Sequence, residues 1–170
     1  TAHTASRRVF DIICVMVYTY GIAMTTYVSQ NMGAGKPERV RQGVRHANII
    51  VTIISTLLIV LVYICAKPVF QWITSTTNPE IIDASVMYAR ISVLFFYALG
   101  PLFVFRCTLQ GMGRKIVPLI SSVTEMLVKI LSAMFLVPAF AYKGVAFTEP
   151  ISWVLMTTIL AVAYYTGKPE

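Results

Sequence analysis

A chain of 170 residues that is 57% hydrophobic and only 12% charged, with a mean hydropathy of +0.74, falls well short of the roughly 25% charge of soluble domains. That composition excludes an ordinary water-soluble globule. The net charge of +7 does not point to nucleic acid either, because the basic residues stand at the ends of apolar runs and are not gathered on one face with interleaved aromatics.

The first helix is expected over about residues 6–32. Residues 12–35, like residues 47–66, contain no Asp, Glu, Lys, Arg or His. At a rise of 1.5 Å per residue, about 20 apolar residues cross the hydrocarbon core, so each stretch is long enough to span. At 100° per residue, Asp11, Tyr18, Thr25 and Ser29 share one narrow stripe. In lipid such a stripe turns toward partner helices or water. Its hydroxyls either line a cavity or bond backbone carbonyls of the same or a neighbouring helix. Asp11 either belongs to that stripe or sits at the interface, paired with Arg7 or Arg8.

A charged hinge follows at Gln30-Asn31-Met32-Gly33-Ala34-Gly35-Lys36-Pro37-Glu38-Arg39. Gly33 and Gly35 accept left-handed or otherwise restricted backbone, Lys36 is disfavoured from the helical region by the proline after it, and Pro37 suits a first helical turn. A helix should end near Met32 and the next start near Pro37. This second helix, about residues 37–66, opens with Arg39, Arg41, Arg45 and His46 and then turns wholly apolar. Its β-branched run is too long for a strand. Lys67-Pro68 ends it, and Trp72 and a polar loop over residues 74–80 follow.

The third helix, about residues 80–111, carries Arg90 and Arg106 among apolar neighbours. A charge at bilayer depth costs from about 2.5 kcal/mol upward, so each arginine snorkels or faces protein. Pro101, after Gly100, is expected to kink the segment, and Tyr97 is a cavity-wall candidate. Gly111-Met112-Gly113-Arg114-Lys115 forms a second basic hinge. The fourth helix, about residues 116–140, places Ser121, Ser122, Glu125, Lys129 and Ser132 within a sector of about 100°. Glu125 and Lys129 are an i, i+4 pair. In lipid a carboxylate must be neutral, paired or facing water. Three readings are open: an ion pair that fixes helix packing, a proton- or cation-exchanging carboxylate on a cavity wall, and an interfacial position. After Tyr142-Lys143-Gly144 the fifth helix is expected over about residues 146–166. Glu149 precedes an uncharged run from Pro150 to Gly167 that holds the interface anchors Trp153, Tyr164 and Tyr165.

Lys36, Arg39, Arg41, Arg45, Arg114, Lys115 and Lys168 fall on one side of five spans, and Arg7, Arg8, Lys67 and Lys143 on the other. The positive-inside bias puts the first set in the cytoplasm. Cys14, Cys65 and Cys107 have no paired spacing and no companion histidine, so they read as small buried thiols, and no metal or cofactor is expected. The sequence opens on Thr-Ala-His-Thr without a signal-peptide pattern and reads as a piece of a longer protein.

Gln30-Asn31-Met32-Gly33-Ala34-Gly35-Lys36, with Arg39 and Arg41 following, resembles the Q-N-x-G-A-G-x loop of the multidrug and toxic compound extrusion (MATE) transporters. Leu109-Gln110-Gly111-Met112-Gly113-Arg114, Pro118, and Glu149-Pro150-Ile151 with Trp153 are similar to later positions of the same family, and the resemblance covers essentially the whole chain. It implies an all-α integral membrane fold: a single domain over residues 1–170, five transmembrane helices of a twelve-helix, two-lobe transporter. The later motifs look like the C-terminal lobe, helices eight to twelve. The topology from basic residues agrees, since the family's eighth helix runs from outside to inside.

The resemblance further implies a cation-coupled (Na⁺ or H⁺) multidrug efflux antiporter of the cell membrane. Its partners would be cationic amphiphilic molecules, the lipid bilayer and the missing N-terminal lobe, with no nucleic acid. The family's coupling acids lie in segments absent here or at positions without an acid, so Glu125 stands on its own physics, with Lys129 beside it and Tyr18, Thr25, Ser29 and Tyr97 as weaker wall candidates. The alternatives are a flippase for lipid-linked polysaccharide precursors, to which Arg90 and Arg106 would offer positive charge, and a membrane scaffold subunit. No nucleophile with base, ligand cluster or phosphate loop suggests an enzyme.

Overall fold

The computed structural model describes residues 2–74 and 78–167. Ser75, Thr76, Thr77 and Lys168 lie outside the described residues, as do the side chains of Arg7, Arg8, Cys14 and Lys143. The described elements are helical: α1 (Ala2–Gly33), α2 (Pro37–Thr74), α3 (Pro79–Leu94), α4 (Phe96–Gly111), α5 (Ile116–Leu131), a π-helical turn (Ser132–Leu136) and α6 (Val137–Thr166).

Three stretches, Pro37–Trp72, Ile116–Leu136 and Phe147–Thr166, are long and apolar enough to cross a membrane. A fourth is reached if α3 and α4 form one broken span. The chain is therefore all-α and of the multi-pass membrane type. The first expected span, residues 6–32, falls on α1, much of whose N-terminal half has side chains outside the described residues. α1 packs along α4 and α2.

α4 is the central helix. It packs against α1, α2 and α6, and Leu99, Leu102, Val104 and Leu109 are buried there. The outward faces of α2, α5 and the π-helical turn remain apolar, with Ile49, Leu57, Ile64, Leu119, Met134 and Phe135 exposed. Such faces suit lipid or further helices.

The helix expected over residues 80–111 is in fact two, bent by 51° about Phe95. The break lies six residues before Pro101, the expected kink. Pro101 has no N–H for the Tyr97 carbonyl, and its ring crowds that group, so the preceding turn cannot run on regularly. Side chains from both flanking helices bond the carbonyls beside the break. Ser55 Oγ of α2 donates to the Phe96 carbonyl at 3.2 Å, and Thr157 Oγ1 of α6 donates to that of Ala98 at 2.8 Å.

The loop expected at Tyr142-Lys143-Gly144 is absent, since the backbone from Val137 to Thr166 is helical. It is not straight, however. Lys129 Nζ lies 3.3 Å from Glu149 Oε2, whereas twenty residues of straight helix would hold them about 30 Å apart. At the other end, Arg114 Nη1 donates to the Ala163 carbonyl at 2.9 Å. The chain thus folds back after the π-helical turn, and Phe147–Thr166 runs antiparallel beside α5.

The two basic hinges are built alike. The Lys36 N–H reaches the Asn31 carbonyl and the Gly35 N–H that of Met32; the Arg114 N–H reaches Leu109 and the Gly113 N–H reaches Gln110. Each is a Schellman cap, which needs one left-handed residue. Gly35 (φ 66°) and Gly113 (φ 80°) supply it, while Gly33 does not take positive φ. Both hinges lie at one end of the bundle with the C-terminus of α6, because Pro37, Met112 and Gly167 line one cavity. Basic residues scattered along the sequence are gathered there.

Candidate functional site: a shared lysine between two carboxylates

The polar sector of α5 separates into buried and open parts. Ser121 and Ser132 are buried, whereas Ser122, Glu125 and Lys129 line a cavity of about 460 Å³ with Met126, Ile130 and Ala133. Lys129 Nζ donates to Glu125 Oε1 at 2.8 Å and also reaches Glu149 Oε2 of α6. The Glu125, Lys129 and Glu149 side chains are 27%, 37% and 15% exposed, so the group is half-buried on an open face.

One ammonium is thus shared by two carboxylates. A cation entering the cavity competes with Lys129 for the same oxygens, and a proton taken by either carboxylate releases the lysine from that partner. The Lys129–Glu149 contact also joins α5 to α6, so the group fixes packing as well as presenting charge.

Ser122 forms a wall shared with a second cavity, of about 500 Å³, lined also by Thr25, Arg106, Gln110 and Lys115. Arg106 donates to Ser122 Oγ, and Ser122 donates onward to the Pro118 carbonyl at 3.1 Å. The α4–α5 face thus carries a basic cavity next to the one lined by Glu125 and Lys129. Arg90 is elsewhere, its guanidinium 5.2 Å from the ring centre of Tyr63, in a cation–π contact between α3 and α2.

The stripe on α1 is used mainly for packing. Thr25 Oγ1 donates to the Cys107 carbonyl at 3.2 Å, and Ser29 Oγ lies 3.1 Å from the Gly111 carbonyl. Thr25 also touches the basic cavity. Tyr18 is exposed and meets Phe103 edge-on, and Asp11 is exposed. Tyr97, with its hydroxyl 2.9 Å from Thr56 Oγ1, lines a separate shallow cavity with Thr157 and Thr158.

The loop residues build the turn. The Gln30 carbonyl accepts from Ala34, and Asn31 Nδ2 donates to the Tyr27 carbonyl at 2.8 Å, while Gly33 closes α1 and Gly35 supplies the cap. Cys107 is a buried thiol and Cys65 a half-buried one. Sequence reasoning did not place Glu149 in the site. The signal was there, since it is one of only seven acids and stands at the start of an uncharged run.

Comparison with known proteins agrees with this architecture. The family described as MatE matches residues 1–135. A curated protein of Shewanella oneidensis, named an FAD transporter, is 22% identical over 156 residues, covering 91% of this chain and 34% of that protein. The chain thus spans about a third of the length of that relative. No solved structure matches.

Proposed function

Since the chain belongs to the MatE family of transporters, we propose that it forms part of a cation-coupled antiporter exchanging Na⁺ or H⁺ for cationic amphiphilic compounds across the cell membrane. The observation that carries this reading is Lys129 held between Glu125 and Glu149 on an open cavity wall. In this reading the carboxylates alternate between Lys129, the coupling ion and the cationic substrate. Each exchange replaces one positive charge by another, so no bare carboxylate is left in a low-dielectric site. The remaining helices, including an N-terminal lobe, complete the cavity, and the lobes rock about it. The end gathering both basic hinges faces the cytoplasm.

The test is efflux of a cationic dye from cells expressing the full-length transporter. Glu125→Gln and Glu149→Gln should each slow efflux about tenfold, equivalent to about 1.4 kcal/mol, and flatten its dependence on Na⁺ or pH. Efflux with unchanged ion dependence in both variants would overturn the assignment.

A second reading is favoured by the basic cavity at Arg106 and Lys115 and by the FAD transporter among the relatives. There the substrate is a phosphate-bearing anion, a flavin dinucleotide or a lipid-linked precursor. Export of FAD that falls with Arg106→Gln, with no dye efflux at all, would favour it.

A further inference from the structure

A cavity of about 990 Å³ lies between α2, α4 and α6, formed by none of the residues of the Glu125–Lys129–Glu149 group. Its lining changes character along α2. Arg41 and Arg45, with Pro37, Val40 and Val44 among them, come first, Asn48, Ile49, Thr52 and Ile53 follow, and Pro101 and Phe105 of α4 complete the wall. From Arg41 to Ile53 the helix rises about 18 Å, close to the depth of one leaflet of a bilayer with a hydrocarbon core about 30 Å thick. Over that depth the cationic side chains stand at one end of the α2 wall and only uncharged ones follow, which matches the charged headgroup of an anionic phospholipid above its acyl chains.

We propose that this groove binds one anionic glycerophospholipid, with its phosphate on Arg41 and Arg45 and an acyl chain along Ile49 and Ile53. Arg45 makes no side-chain bond among the described residues. Arg41 Nη1 bonds Glu38 at 3.2 Å, but both groups are mostly exposed, so the pair is weak and a phosphate competes with it readily. Asn48, whose Nδ2 donates to the Val44 carbonyl at 2.9 Å, stands on the groove wall next along α2 from Arg45. Phe105, Tyr164 and Tyr165 form an aromatic cluster on the α4–α6 wall, with ring centres 5.1–6.0 Å apart, of the kind found at headgroup level. The groove opens at the end with both basic hinges, the end the positive-inside bias turns to the leaflet richest in anionic lipid. The proposal does not depend on which substrate the transporter carries.

Native mass spectrometry of the full-length transporter, extracted in mild detergent and titrated with phosphatidylglycerol or chain-matched phosphatidylcholine, provides the test. One phosphatidylglycerol should be retained in preference, and the double variant Arg41→Gln, Arg45→Gln should lose at least about tenfold of that retention. Ile53→Trp, which leaves every charge in place, should also displace the lipid, and it serves if the arginine pair fails to fold. Lys36→Gln with Arg39→Gln removes equal charge at the same end and should change nothing. Equal loss in that control would reduce the effect to diffuse charge and overturn the proposal. Displacement of the lipid by FAD or inorganic phosphate would overturn it in favour of a soluble phosphate ligand.

Discussion

Gly111→Ala tests the contact on which the bundle turns, the crossing of α1 and α4. A Cβ at Gly111 would sit 2.7 Å from the Thr25 carbonyl oxygen and 2.9 Å from Val28 Cβ, against an ordinary contact of 3.4 Å or more. The near atom is backbone and cannot swing aside, so the helices must part by about 0.7 Å. The Thr25–Cys107 and Ser29–Gly111 bonds, now 3.2 and 3.1 Å, would then exceed hydrogen-bonding distance. Overpacking of about 1–3 kcal/mol and two interhelical bonds of about 0.6 kcal/mol each give an expected loss of about 2–4 kcal/mol. Reversible unfolding of the purified protein in mixed micelles measures it. Two companions calibrate the scale. Gly33→Ala meets nothing within 4 Å and should be neutral or stabilising by up to about 1 kcal/mol. Gly113→Ala, at φ 80°, should cost about 1–2 kcal/mol through backbone strain alone. A Gly111→Ala variant within about 0.5 kcal/mol of the parent would refute the close crossing, since even modest overpacking exceeds that.

Removing both hydroxyls at the α3–α4 break, with Ser55→Ala and Thr157→Val, should raise hydrogen exchange across residues 94–100. The two effects should be non-additive, because both hydroxyls hold the same broken turn. Arg114→Gln should fray the last turn of α6 by removing the bond to the Ala163 carbonyl. A loss of about 1 kcal/mol there corresponds to about fivefold faster exchange over residues 160–167, with α2 unaffected as the internal reference.

Much of the fold was legible because lipid imposes strict rules on a chain. Long uncharged runs, basic residues at their ends and the paired Gly hinges pointed to helices and turns, but α2 does not stop at Lys67-Pro68 as expected and runs through Pro68 to Thr74. The first hinge offered Gly33 and Gly35 alike as left-handed positions, since few residues besides glycine enter that region easily, and only Gly35 takes it. The position of the break was not legible. Proline marks where a hydrogen bond is lost, but the displaced bend depends on which carbonyls find hydroxyls on other helices, here Ser55 and Thr157. The site was legible by halves. The i, i+4 spacing of Glu125 and Lys129 is a local fact of one helix, whereas Glu149 joins them only because the chain folds back after the π-helical turn.

Composition and periodicity alone determined that this is a helical membrane chain with two basic hinges, because hydrophobic thickness, backbone satisfaction and cap geometry are local constraints that any such sequence must obey. Tertiary structure alone decided that Lys129 is shared by two carboxylates, that the α1 hydroxyls bond α4, and that Arg41 and Arg45 open onto a groove reaching Phe105 and Tyr164. Those pairings depend on the distances between helices, and a one-dimensional pattern does not contain them.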